Sequence, residues 1–212
     1  MNQVRAALLA CADTSIHLIR TPRLRELWDT PSVLEHWSVS GLTGHLVRAF
    51  TTIEEYLDAP EPTTAKPIGP AAYYATALDN SDLQSDLHNT IRRRGDQMAA
   101  QGLDSLISHQ EALTARLRTR LAKEPSDRKV GVFKGLVLSL DDYLIVRIVE
   151  LCTHIDDLAI SVEEPTPEMP LEALDLAIGA LVDLGRHRHG DLAVLRALVR
   201  RERDDVNALR VL

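Results

Sequence analysis

Arg147, Glu150, His154 and Asp157 lie in the stretch RIVELCTHIDDL, which otherwise reads as an apolar helix. At roughly 100° per residue the four fall within a stripe about 80° wide, along which Tyr143 and Ser161 also lie. Ile145, Ile148, Leu151, Cys152, Ile155, Leu158 and Ala159 cover the adjoining faces. Burying an unpaired charge costs on the order of several kcal/mol, so the stripe must face water, charged partners or a metal ion.

Glu150 and His154 are four residues apart, so their side chains stack one turn apart on a single helix face. Such a pair can grip a divalent cation, although many helices carry one by chance. In WSVSGLTGHLVRAF, His45 shares a face with Leu42, Leu46, Ala49 and Phe50 and therefore points toward a core. A lone core histidine is ordinarily a hydrogen-bonded packing residue. Here a fold that buries Glu150 and His154 needs a partner for them, and His45 is the obvious one. Two imidazoles and one carboxylate suit Zn²⁺ or another first-row divalent ion and leave a coordination position open. An open position suits chemistry better than structural support.

The neighbours have weaker claims. Asp157, one turn beyond His154, could accept the proton of the free ring nitrogen and fix the tautomer. Arg147 could pair with Glu150 or Asp157, or orient an anionic substrate by a forked contact. For both, a structural ion pair within the fold is the competing reading; Tyr143 could reach the mouth of the site but reads first as packing. Cys152 is about 200° around the helix from Glu150, a poor ligand and a core residue by position. Cys11 reads the same way. His187 and His189 are two apart, the wrong spacing for one helical face, and Gly190 marks a helix end where cations are electrostatically favoured. His17, His36, His88 and His109 show no partner pattern.

The elements that must position these groups are helical. A first helix is expected from about Asn2 to Trp28, bent near Thr21-Pro22 because proline interrupts the backbone ladder. DTPSVLEHW reads as a loop, after which Ser38 or Ser40 could cap a second helix with apolar residues at 42, 46, 49, 50, 53 and 57. The proline-rich segment 58–70 ends it. Residues 71–124 read as helical with a break near Gly102, and 128–140 as an extended connector or short strand. A helix over about 141–162 carries the charged stripe, EEPTPEMP is a linker, and two shorter helices follow near 171–186 and 191–204. The pattern predicts an all-α helix bundle over residues 1–162, with a linker and helical tail over 163–212.

Composition agrees. The 212 residues are 45% hydrophobic, 26% charged and only 4% aromatic, the balance of a helical globular protein. No run is long and apolar enough to span a bilayer and the first twenty residues do not make a signal peptide, so a cytoplasmic location is expected. Two cysteines make neither a disulfide framework nor a thiolate zinc cluster. A formal charge of -7 argues against nucleic acid as a partner, and the basic runs IRRRG, RHRHG and VRRERDD read as solvated helix ends.

WSVSGLTGHL followed by RIVELCTHIDDL resembles the DinB-like superfamily, and more narrowly the N-terminal domain of mycothiol-dependent maleylpyruvate isomerase. That pattern has a tryptophan some eight residues before a ligand histidine, then R-x-x-E-x-x-x-H-x-x-D-L. Trp37 and His45 fit the first part; Arg147, Glu150, His154, Asp157 and Leu158 fit the second. The resemblance implies a DinB-like four-helix bundle over about residues 1–162, a metal held by His45, Glu150 and His154, and an actinobacterial source. It also implies zinc or nickel as the ion and mycothiol as co-substrate. The isomerase carries a separate α+β C-terminal domain, whereas this chain has two helices after its linker and is closer to the short relatives. The expected function is therefore a metal- and thiol-dependent transferase or isomerase acting on a small electrophile. A metal-dependent hydrolase and a non-enzymatic metal- or thiol-binding module are the alternatives. Bundles of this kind commonly form homodimers.

Overall fold

The structure is a computed structural model that describes residues 1–63, 65–77, 85–199, 202 and 208–212. Helix α1 (Gln3–Ile19) starts at Asn2, whose side chain accepts from the Arg5 N–H, and α2 (Pro22–Glu26) follows after a break. The single helix expected over 2–28 is thus two. Pro22 lacks the N–H that continuity would need, and the Thr21 hydroxyl caps the new start by accepting from Leu24 N–H.

Helix α3 (Val39–Asp58) is capped by Ser38, whose Oγ accepts from Gly41 N–H at 2.9 Å, and the prolines after it prevent its continuation. The expected helical stretch 71–124 resolves into α4 (Pro70–Ala77), α5 (Asp86–Ala99) and α6 (Leu103–Leu121); positions 78–84 of it lie outside the described residues. Gly102, at φ 83°, makes the break before α6. The extended segment is an antiparallel hairpin of β1 (Lys129–Gly131) and β2 (Val137–Ser139), with Lys129 opposite Ser139 and a 3₁₀ turn between the strands. Ser139 caps α7 (Leu140–Ser161), accepting from Asp142 N–H. Helices α8 (Leu171–His189) and α9 (Asp191–Val199) complete the described elements, and the end expected near 204 for the last helix lies outside the described residues.

Helices α1, α6, α3 and α7 pack in a ring, each against the next, around a shared core that includes Leu8, Leu42, Leu46, Leu106, Leu113, Leu144, Leu151 and Ile155. This is an all-α four-helix bundle. Helix α5 lies on the outside of α3, and α8 lies on α7, α4 and α1 with Ala173, Ala177, Ala180 and Leu184 buried. Arg5 locks one end. Its Nε donates to Asp141 at 2.9 Å and its terminal nitrogens donate to the carbonyls of Leu121, Glu124 and Pro125, joining α1 to the end of α6 and the start of α7. Among the described residues no helix is long and apolar enough to cross a membrane.

Candidate metal centre

The periodicity of α3 turns His45 inward, and α7 presents Glu150 and His154 on the facing surface. His45 Nε2 lies 3.6 Å from Glu150 Oε2, and His154 Nε2 lies 3.8 Å from the same oxygen. One ligand atom from each of the three falls within 4.8 Å of the others. Zinc–nitrogen and zinc–oxygen bonds near 2.0–2.2 Å in a tetrahedron put donor atoms about 3.4 Å apart, so small side-chain adjustments suffice. The three side chains are each less than a fifth exposed, which favours a shared cation over separate hydration. The residues fit a divalent ion.

Aromatic rings pack around this set. The His45 and His154 rings meet edge to face with centroids 4.9 Å apart, and Trp37 lies against His45 at 5.1 Å. His154 Nδ1 and Asp157 Oδ2 are 3.0 Å apart, so the position expected to orient the imidazole does make that contact. The loop bearing Trp37 is tied to the same helix, because Val33 N–H donates to Ser161 Oγ and Ser161 Oγ donates to the Asp157 carbonyl.

Charge follows from burial and neighbours. Burial pushes the His45 pKa down, overriding the opposing pull of the nearby Glu150 carboxylate, so its imidazole is neutral and able to ligate. For Glu150, burial alone would raise the pKa; the adjacent His45 imidazole and the positive charge of Arg147 overcome it and hold the carboxyl far below the usual range. Arg147 stays cationic, with burial opposed by Tyr143 and Glu150. Its guanidinium lies 5.3 Å from the centroid of the Tyr143 ring, a cation–π contact. The ion pairs considered for Arg147 with Glu150 or Asp157 do not form among the described residues, and its buried Nε has no hydrogen-bond partner there.

Arg147 instead borders a cavity of about 450 Å³, of a size that takes one small molecule. His45 and Glu150 form part of its wall, together with Arg48, Thr52, Tyr56, Tyr73 and Tyr74, and with Thr90 and Arg94 from α5. The chain has four tyrosines, and the fourth, Tyr143, stacks against Tyr56 and donates to Thr52 at its edge. Burial raises the phenol pKa of Tyr73, Tyr74 and Tyr143, so all three remain neutral hydrogen-bond donors at physiological pH. Apart from Tyr143, the tyrosines were not foreseeable as site residues: Tyr73 and Tyr74 sit on a short helix after a proline-rich segment, with no spacing signal linking them to the metal ligands. Tyr143 packs in the bundle as its sequence position suggested.

The other candidates stay apart. Cys11 and Cys152 are free and buried; the neighbouring Cys152 thiol and burial raise the Cys11 pKa, leaving it an inert core thiol. His109 Nε2 lies 3.3 Å from Thr51 Oγ1, and His187 and His189 are exposed at the end of α8.

No curated protein and no solved structure matches this chain. One family model matches, described as the mycothiol maleylpyruvate isomerase N-terminal domain, over residues 8–159. That span holds the bundle, the three candidate ligands and the cavity wall between them. The chain belongs to the mycothiol maleylpyruvate isomerase N-terminal domain family.

Proposed function

We propose that this protein is a divalent-metal-dependent enzyme that uses mycothiol on a small electrophile, as an S-transferase or an isomerase. The observation that carries the reading is the convergence of two imidazoles and one carboxylate within 4.8 Å of one another, two of these residues, His45 and Glu150, also lining a cavity of molecular size. A zinc or nickel ion held by His45, Glu150 and His154 would act as a Lewis acid that lowers the pKa of a bound thiol and makes it nucleophilic at neutral pH. Addition of the thiol across a double bond forms a C–S bond and a C–H bond. Stopping there, or displacing a leaving group, gives a transferase; eliminating the same thiol after bond rotation gives an isomerase.

The chain's own groups supply binding and orientation. Asp157 holds the His154 ring by its Nδ1 so that Nε2 faces the site. Arg147, cationic and without an acidic partner among the described residues, offers a forked donor to an anionic part of the electrophile. Tyr73, neutral and at the cavity wall, offers a further donor. The second reading, a metal-dependent hydrolase, is favoured by one feature: Asp86 is a carboxylate on the cavity wall that could serve as a base.

Conjugation of monochlorobimane by the metal-loaded protein, with and without mycothiol, tests the proposal. Mycothiol-dependent turnover abolished by His154→Ala is expected. Hydrolysis of activated esters without thiol, lost in Asp86→Asn, would instead favour the second reading.

A further inference from the structure

Helices α3 and α5 touch backbone to backbone beside the metal centre, and both contribute to the cavity wall. Its wall takes His45, Arg48 and Thr52 from α3 and Leu87, Thr90 and Arg94 from α5. At the contact there is no room for side chains. A Cβ on Gly44 would lie 2.2 Å from the Gly95 carbonyl oxygen and 3.0 Å from Ala99 N. A Cβ on Gly95 would lie 2.6 Å from the Gly41 carbonyl oxygen, 3.2 Å from the Trp37 ring and 3.3 Å from the Cβ of His45. Gly41 is different, because its nearest obstacle is the carboxylate end of Asp96 at 2.5 Å, which can swing aside.

We propose that Gly95 is a positioning residue for the metal centre and its cavity, an inference that rests on the metal-dependent reading above. The missing side chain lets α5 seat against α3 at the separation that sets His45 opposite Glu150 and His154 and fixes the cavity width. Backbone atoms on two packed helices cannot rotate away from an added methyl, so the helices must part by several tenths of an ångström. Ligand constellations tolerate displacements of only about 0.5 Å. Gly95 sits against both His45 and Trp37, so the displacement is delivered to the ligand itself. Coupling of this kind is reciprocal: metal binding at His45 must also stabilise the α3–α5 contact.

Cobalt titration followed by visible absorption tests this. Gly95→Ala is expected to weaken cobalt binding about tenfold or more, the size of effect seen when support for a ligand is lost. Gly41→Ala is expected to stay within about twofold of wild type. Leu113→Ala, a truncation in the buried face of α6, which supplies neither a ligand nor a residue of the cavity wall, should lower thermal stability and leave cobalt affinity unchanged, which separates positioning from general destabilisation. The wild-type chain provides a second test that does not depend on a variant folding. Adding cobalt should slow amide hydrogen exchange around residues 91–99 of α5, although no residue of α5 is a ligand. Protection confined to α3 and α7, or a Gly95→Ala protein with wild-type cobalt affinity and spectrum, overturns the proposal while leaving the metal-dependent reading intact. A wild-type protein that takes up no cobalt overturns both.

Discussion

Asp157 stands behind His154: its carboxylate lies 3.0 Å from Nδ1, while Nε2 of the same ring faces Glu150. A carboxylate in that position fixes the tautomer and raises the basicity of the ligating nitrogen. Asp157→Asn is therefore expected to weaken metal binding about 10- to 100-fold with the fold unchanged. Competition with a chromophoric chelator measures this, and unchanged affinity would reduce Asp157 to a surface contact.

Arg147 has a different task, and its loss should leave the metal in place. Arg147→Met retains the packing against Tyr143 and removes the forked donor. Metal content should match wild type, while KM for a carboxylate-bearing electrophile rises about tenfold and KM for its methyl ester hardly changes. Equal effects on acid and ester would assign Arg147 to the fold rather than to substrate.

Acidification should destabilise the metal-free protein. The pKa of His45 is lowered in the folded state by burial, whereas the unfolded chain titrates near 6.5. Below that pH the unfolded state binds more protons, so the stability present above it drains away as pH falls toward the lower folded value. Glu150, also held down, adds loss in the same direction only once the pH falls below its usual range. Urea denaturation of metal-stripped protein at pH 7.5 and 5.5 should show the fall, and His45→Gln should flatten it. Equal slopes in the two proteins would contradict the assignment.

Arg5 dominates the closed end of the bundle. It is 5% exposed and its guanidinium serves Asp141 and three carbonyls at once. Arg5→Ala strips the buried Leu121 carbonyl and three part-buried acceptors of this donor, which should cost about 2–3 kcal/mol. Calorimetry should record a fall in Tm of about 10 °C with metal content retained. A loss under about 1 kcal/mol would mean that water replaces the guanidinium freely.

Much of this site was legible because helical spacing is local. The run of Leu42, Leu46, Ala49 and Phe50 places His45 inward, and a four-residue interval places Glu150 beside His154; both relationships hold in the folded chain. The contact between α3 and α5 left no such trace, since it is made by glycine backbones and carries no periodic side-chain signal. Tyr56 shares the cavity wall with the adjacent pair Tyr73 and Tyr74 only through tertiary packing, and no local rule joins α3 to α4 there. Helix α8 was expected as part of a tail, yet the spacing of Ala173, Ala177, Ala180 and Leu184 is itself a narrow apolar stripe of small residues. What could not be read was the face waiting to receive it on α7, α4 and α1.

Metal content of purified protein, measured by mass spectrometry after growth with zinc or nickel, bears most directly on the site. The wild-type chain should carry close to one divalent ion, and His154→Ala only a small fraction of that under the same growth and purification. Equally little metal in both proteins would contradict a cation held between His45, Glu150 and His154.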